Sequence, residues 1–263
     1  MQDLTDRREV FFALIAPIGV DLDTVETCLD RSLKVVGYET NRIRLTDIFK
    51  DTNHGYDTNF KNEFERYQKF IAAGDDICSD TNHLDIMALY GIESLKKYSV
   101  RDEDIEIPKN VAHIFRQIKR PAEIDTLKKV FGRNIMFISC YSSKEDRKNN
   151  LVKKLLKSER GRSKTDLTSE AYKIMSIDED ERDKLTGQRV LDCYPHADYV
   201  LDCSNLTLLN KSTDRFTEIY FGHPFHSPTK DEYCSYFANA ASYRSLDLSR
   251  QVGAAIFGAY IRV

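Results

Sequence analysis

The residues that first suggest chemistry lie in APIGVDLDTV, Ala16 to Val25, directly after the apolar run EVFFALI. A phosphate-binding loop would sit in this position, between a buried strand and a helix. Such a loop needs G-x-x-x-x-G-K-[ST]. Its glycines let backbone N–H groups converge on phosphate, its lysine neutralises charge, and its hydroxyl holds Mg²⁺. Here Ala16, Asp21, Leu22 and Asp23 stand where the pattern wants Gly, Gly, Lys and Ser/Thr, and Thr24 follows. Two carboxylates would face the phosphates and no lysine would. Phosphoryl transfer depends almost wholly on electrostatic stabilisation, which excludes ordinary kinase chemistry from this loop. Free N–H groups at the helix start still suit weak anion binding. The nucleotide-binding candidates here are Gly19, Val20, Asp21, Asp23 and Thr24. Asp21 and Asp23 carry two readings, helix caps or Mg²⁺ ligands.

Arg116 and Arg120 complete the candidate set. They flank the end of VAHIFRQIKRP, where a parallel strand would deliver them to the ligand edge of a sheet. The rigid donor fork of arginine suits phosphate; exposed loop arginines are the other reading. No metal site is assigned. None of the six histidines heads an H-x-E motif, no C-x-x-C exists, and His223 and His226 flank Pro224 without obvious partner ligands. No G-x-S-x-G elbow marks a hydrolase nucleophile, so no catalytic residue is assigned either.

These candidates need elements to hold them. EVFFALIA reads as a buried strand. Leu22, Val25, Leu29, Leu33 and Val36 then follow at helical spacing, with Asp21 to cap the start and Gly37 the end. NRIRLTDIF alternates like a second strand, which makes a right-handed β-α-β unit. Helical segments follow at FKNEFERYQKFIAAG, ending at Gly74, and at NHLDIMALYGIESLKKY. Next come a strand at VAHIFRQI, a helix at RPAEIDTLKKVFG, a strand at NIMFISCYS, a helix at SSKEDRKNNLVKKLLKSE and a short strand at ADYVLDCS. This alternation predicts an α/β fold, a three-layer domain with a parallel sheet over about residues 8–222. Ser158–Gln188 breaks the rhythm with basic residues first and acidic ones after. It reads either as a solvated helical excursion or as a mobile lid over phosphates. GHPFHSPT looks like a boundary. After it, Thr229 and Glu232 form a capping box at the start of a helix, and QVGAAIFGAYIRV reads as a strand that can turn at Gly258 into another.

Composition sets bounds on function. At 263 residues, 41% hydrophobic and 31% charged, the chain buries an ordinary core, and a net charge of -3 gives no general pull toward nucleic acid or anionic lipid. The N-terminus has no apolar signal region, and no stretch approaches a membrane span. The six scattered cysteines read as reduced thiols of a cytoplasmic protein.

On these residues the whole chain resembles the N-terminal part of a two-domain bacterial family, the anti-phage dCTP deaminases. These join a P-loop nucleotide-kinase-like domain to a deoxycytidylate deaminase domain. The likeness runs in order through APIGVDLDTV, IKRPAEIDTLKKVFG, IDEDERDKLTGQRVLDCYPHADYVLD and FGHPFHSPTKDEYCSYFANAASYRSLDLSRQVGAAI. It implies a P-loop-kinase-like domain with a degenerate loop at 8–222, and the first helix and strand of a cytidine-deaminase-like domain at 223–263. The loop without Gly-Lys-Ser/Thr looks like the family's own version. The implied activity converts deoxycytidine nucleotides to deoxyuridine nucleotides, which drains dCTP during phage infection.

That hydrolysis needs Zn²⁺ held by His and two Cys, with a Glu moving protons, in an H-x-E and a P-C-x-x-C. Both are expected downstream of QVGAAI and neither occurs in these residues. The resemblance thus implies a chain that stops before the zinc site, as a short product, a frameshift or a deliberate truncation. It implies no deamination by this chain alone, and Zn²⁺ only together with the missing motifs. The implied role is regulatory. Its implied partners are a nucleotide, an inhibitory RNA or further copies of the chain as a homo-oligomer, with no membrane. A stand-alone nucleotide-binding or (d)NMP-kinase-like protein and a protein- or RNA-interaction module are the alternatives.

Overall fold

The computed structural model describes residues 8–50, 59–99, 110–159, 161–179, 181, 184, 186–247 and 249–258. Its centre is β1 (Arg8–Ile15), the most continuously apolar stretch in the chain. Phe12, Ala13, Leu14 and Ile15 are all fully buried, as befits a strand covered on both faces. β1 pairs in parallel with β3 (Asn110–Ile118) on one side and β4 (Ile135–Tyr141) on the other. β2 (Glu39–Arg44) lies outside β3, and β5 (Tyr199–Asp202) outside β4, which makes a five-stranded parallel sheet of order β2-β3-β1-β4-β5.

Alternation along β1 sends its side chains to two helical layers. Phe11, Ala13 and Ile15 join a core with α2 (Glu63–Thr81), α3 (Ile86–Ser99), α4 (Pro121–Phe131) and the short α7 (Val190–Cys193). Phe12 meets Phe216 of α8 (Leu206–Tyr220) edge-on at 5.4 Å. α8 lies against α1 (Leu22–Val35): the Ser32 hydroxyl donates to the Thr217 hydroxyl at 3.0 Å, and Arg31 pairs with Asp214 at 2.5 Å. A further apolar cluster joins α5 (Lys144–Ser158), α6 (Lys164–Glu179) and Ile71 of α2 around Ile18 of the β1–α1 loop.

The three-layer α/β architecture with a parallel sheet agrees with the sequence reading, and several details do not. α2 does not end at Gly74. It runs on to Thr81, where Asn82 caps it at φ 54°, because Ile77 and Cys78 beyond the glycine are core residues. Asp21 stands at the N-cap of α1 without capping it; its carboxylate accepts from the Thr24 hydroxyl at 2.7 Å. β2 stops at Arg44 and continues as a 3₁₀ turn, where Leu45 and Phe49 enter the core. The charged excursion folds as α6, which buries Leu167, Ala171, Ile174 and Met175 against its neighbours. The helical reading therefore holds, but one face of the helix is packed against the protein rather than solvated; part of the charged end lies outside the described residues.

The chain divides into two compact units, Met1–Thr217 and Glu218–Val263. In the second, α9 (Lys230–Ser242) begins at the expected capping box, with Thr229 and Glu232 each accepting from the other's backbone N–H. Gln251–Gly258 is not a strand. No neighbouring strand supplies hydrogen bonds to it among the described residues, and it follows α9 so closely that a Cβ on Gly253 would fall 1.9 Å from the Ala238 carbonyl oxygen. The turn into a second strand after Gly258 falls outside the described residues.

The sheet's stability should hinge on the β1 face toward α8. Phe12→Ala removes a ring packed on all sides and is expected to cost about 3–5 kcal/mol. Urea unfolding followed by circular dichroism checks this; a loss below about 1 kcal/mol would mean that the α8 layer is not packed as described.

Candidate functional site

Parallel strands deliver their carboxyl ends to one edge. The chain leaves β1 toward β2 and leaves β3 toward β4, so connections depart in opposite directions from the adjacent strands β1 and β3. Open α/β sheets form their ligand crevice at such a point. A cleft of about 550 Å³ lies there, lined by the β1–α1 loop, the turn after β2, the first half of α2 and the end of β3.

Of the sequence candidates, Gly19, Val20, Asp23, Arg116 and Arg120 line this cleft, and Asp21 and Thr24 do not. Register explains the basic wall. Arg44 of β2 stands directly across from Arg116 of β3, so two guanidinium groups emerge side by side. Asp23 resolves the repulsion by accepting from Arg116 at 2.6 Å and from Arg44 at 3.1 Å. Arg116 also donates to the fully buried Glu26 at 3.0 Å. Two carboxylates on one arginine behave oppositely. The Arg116 hydrogen bond holds Asp23 below the usual carboxylate range, whereas burial pushes Glu26 up despite the same arginine.

Arg120 does a different job. It is buried, and it donates to Asp75 of α2 at 2.7 Å and to the Thr186 carbonyl at 2.9 Å. Its donors tie α2 and α4 to the segment before α7 and are spent inside the protein.

Several cleft residues escaped the sequence reading. Arg66 of α2 lies over the Tyr67 ring at 4.6 Å and near Phe70 at 5.6 Å, and with Phe60 these rings form an aromatic wall. Only the helical spacing of α2 could have hinted at this face. Gln117 takes φ 71° where β3 slips register against β1. One extra residue in a strand re-aims its end, and positive φ is uncommon for glutamine. No local motif signals it. Lys119, nearly buried, reaches under the β1–α1 loop and donates to the Ala16 carbonyl at 2.7 Å.

Asp23 is turned to two guanidinium groups, which does not suit a cation. Among the described residues, no group of three or more His, Cys, Asp or Glu is placed to hold a metal ion. Nor is any helix there long and apolar enough to cross a membrane. His226 engages Glu218 at 2.6 Å in the second unit. All six cysteines are free, four of them buried, and burial lifts the Cys78 thiol to about 11.

No family model matches the chain, and no curated protein matches it. Among solved structures, the chain is similar to shikimate kinase from Bacteroides thetaiotaomicron at 12% identity, over 81% of this chain and 98% of that one, with a TM-score of 0.42. It is also similar to a gluconokinase from Sinorhizobium meliloti 1021 at 11% identity, over 82% and 99%, with a TM-score of 0.33. An uncharacterized protein from Eubacterium ventriosum ATCC 27560 matches at 8% identity, over 80% and 98%, with a TM-score of 0.42. At such low identity none of these likenesses speaks to function. The strand order and the cleft stand on their own: this is a three-layer α/β unit with a five-stranded parallel sheet, and its β1–α1 loop has no Gly-Lys-Ser/Thr.

Glu26 makes the cleft's electrostatics testable. Its folded carboxyl keeps a proton to higher pH than the ordinary value of 4.5. The folded state therefore binds more protons across the window from that value up to the raised one, and stability falls as pH rises through it. Glu26→Gln should remove this slope, so that urea midpoints of wild type decline relative to the variant from about pH 4.5 upward. Parallel curves would show that Glu26 ionises normally.

Proposed function

We propose that the first unit binds a phosphorylated nucleoside in the cleft and does not transfer its phosphate. The observation that carries this is the pairing of a guanidinium wall, Arg44, Arg66 and Arg116, with an aromatic wall, Phe60, Tyr67 and Phe70, around one space of ligand size. Guanidinium groups suit phosphate and ring faces suit a base. The absence of a Gly-Lys-Ser/Thr loop argues against phosphoryl transfer. The resemblance of APIGVDLDTV and of the 221–256 stretch to anti-phage deoxycytidine-nucleotide deaminases supports a finer reading. In it, the unit senses a deoxycytidine nucleotide and regulates a deaminase centre whose zinc motifs are not among these 263 residues. No Mg²⁺ role is assigned, since Asp23 serves Arg44 and Arg116.

Calorimetric titration of the full chain with dCTP, dCMP, dUMP and ATP tests both levels. Binding of a deoxycytidine nucleotide is expected, weakened about tenfold or more in Arg44→Ala/Arg66→Ala, since a hydrogen bond to a charged group contributes about 1.5–3 kcal/mol. ATP with any dNMP should yield no ADP, and zinc-loaded chain should yield no deoxyuridine nucleotide. If no nucleotide binds, the proposal fails. If ATP binds and deoxycytidine nucleotides do not, the deaminase reading fails and a nucleotide site remains.

A further inference from the structure

The middle of the β1–α1 loop is already occupied by an anion that belongs to the chain. The Ile18 N–H donates to Asp178 Oδ2 at 2.6 Å, and Asp178 Oδ1 lies 2.5 Å from Lys119 Nζ. Asp178 is fully buried. One loop N–H and one lysine thus converge on a carboxylate, much as they would on a bound phosphate oxygen. Helix stability does not explain this placement. Asp178 sits in the last turn of α6, where the helix dipole disfavours an acid. The next residue, Glu179, accepts from Arg147 of α5 at 2.6 Å. Arg147 closes the loop's other side: Gly19 has φ 97°, and a Cβ there would fall 2.5 Å from the Arg147 carbonyl oxygen.

We propose that Asp178 is a specificity residue: it fills the anion position of the β1–α1 loop from within, so the loop takes no phosphate. A ligand then presents its phosphate to the Arg44, Arg66 and Arg116 side of the cleft, a consequence that rests on the nucleotide-binding reading above. A polyphosphate tail that reached the loop would meet a carboxylate whose lysine is already paired.

Asp178→Asn keeps the side-chain shape, removes the charge and leaves Lys119 free to bind an added anion. The probe is inorganic tripolyphosphate, which needs no base or sugar site. Calorimetry on the full chain should show at least tenfold tighter binding to Asp178→Asn than to wild type. That gain should vanish in Lys119→Met/Asp178→Asn. Equal binding by wild type and Asp178→Asn overturns the proposal, as does a gain that survives in the double variant. If Asp178→Asn does not fold, the wild-type amide resonance of Ile18 decides. It should stay unshifted as tripolyphosphate is added, and its movement at concentrations that saturate the protein overturns the proposal. Failure of wild type to bind any nucleotide would sink the proposed function and leave this comparison intact.

Discussion

A lysine buried beneath a loop is the constraint around which the first unit is arranged. Taking an ammonium group out of water costs several kcal/mol, and a partner of opposite charge must offset it. Lys119 finds that partner in Asp178, about sixty residues away in sequence. To bring Asp178 there, α6 must pack on α5, and the apolar cluster of Leu151, Leu155, Leu167, Ala171 and Ile174 does so. The same cluster takes in Ile18 of the loop and Ile71 of α2, so the charged contact and the hydrophobic one both hold α6 to the β1–α1 loop. The charged excursion is therefore part of the loop's support.

A second consequence is that the cleft's cations are held by the protein's own acids. Arg116 sits between Asp23 and Glu26, Lys50 beside Asp47, Arg66 beside Glu63, and Lys154 near Asp21 at 3.8 Å. Acids placed this way offset the repulsion between neighbouring like charges and hold the guanidinium groups in place. They also set the terms of binding. A phosphate group gains less from an arginine that must first give up a carboxylate, so the exposed pairs, Arg44 with Asp23 above all, yield more readily than the buried ones.

The second unit is ordered by different means. None of the residues of α9 is buried. Its order comes from the capping box at Thr229, the ring contacts of Tyr233 and Phe237 with Phe257, and the close approach that Gly253 allows. Capping is a local property, which is why the start of this helix could be read directly. A strand needs a partner, and periodicity cannot supply one, which is why Gln251–Gly258 could not be assigned in the same way.

By itself the sequence determined the layers and the missing chemistry. Continuous apolar runs at β1, β3 and β4, alternating with amphipathic helices, leave little choice but a buried parallel sheet, because short runs with no polar face must be covered on both sides. It likewise determined that the loop has no Gly-Lys-Ser/Thr, and it brought Gly19, Asp23 and Arg116 forward as neighbours of a ligand edge. Only the tertiary structure decided what those residues do. The register of β2 against β3 set Arg44 beside Arg116, the slip at Gln117 turned the end of β3, and burial consumed Arg120 in a tie to Asp75. The carboxylate on the loop comes from Asp178, 160 residues beyond Ile18. No local pattern encodes such a meeting, because it depends on which helices share a core, and that is settled by packing across the whole unit.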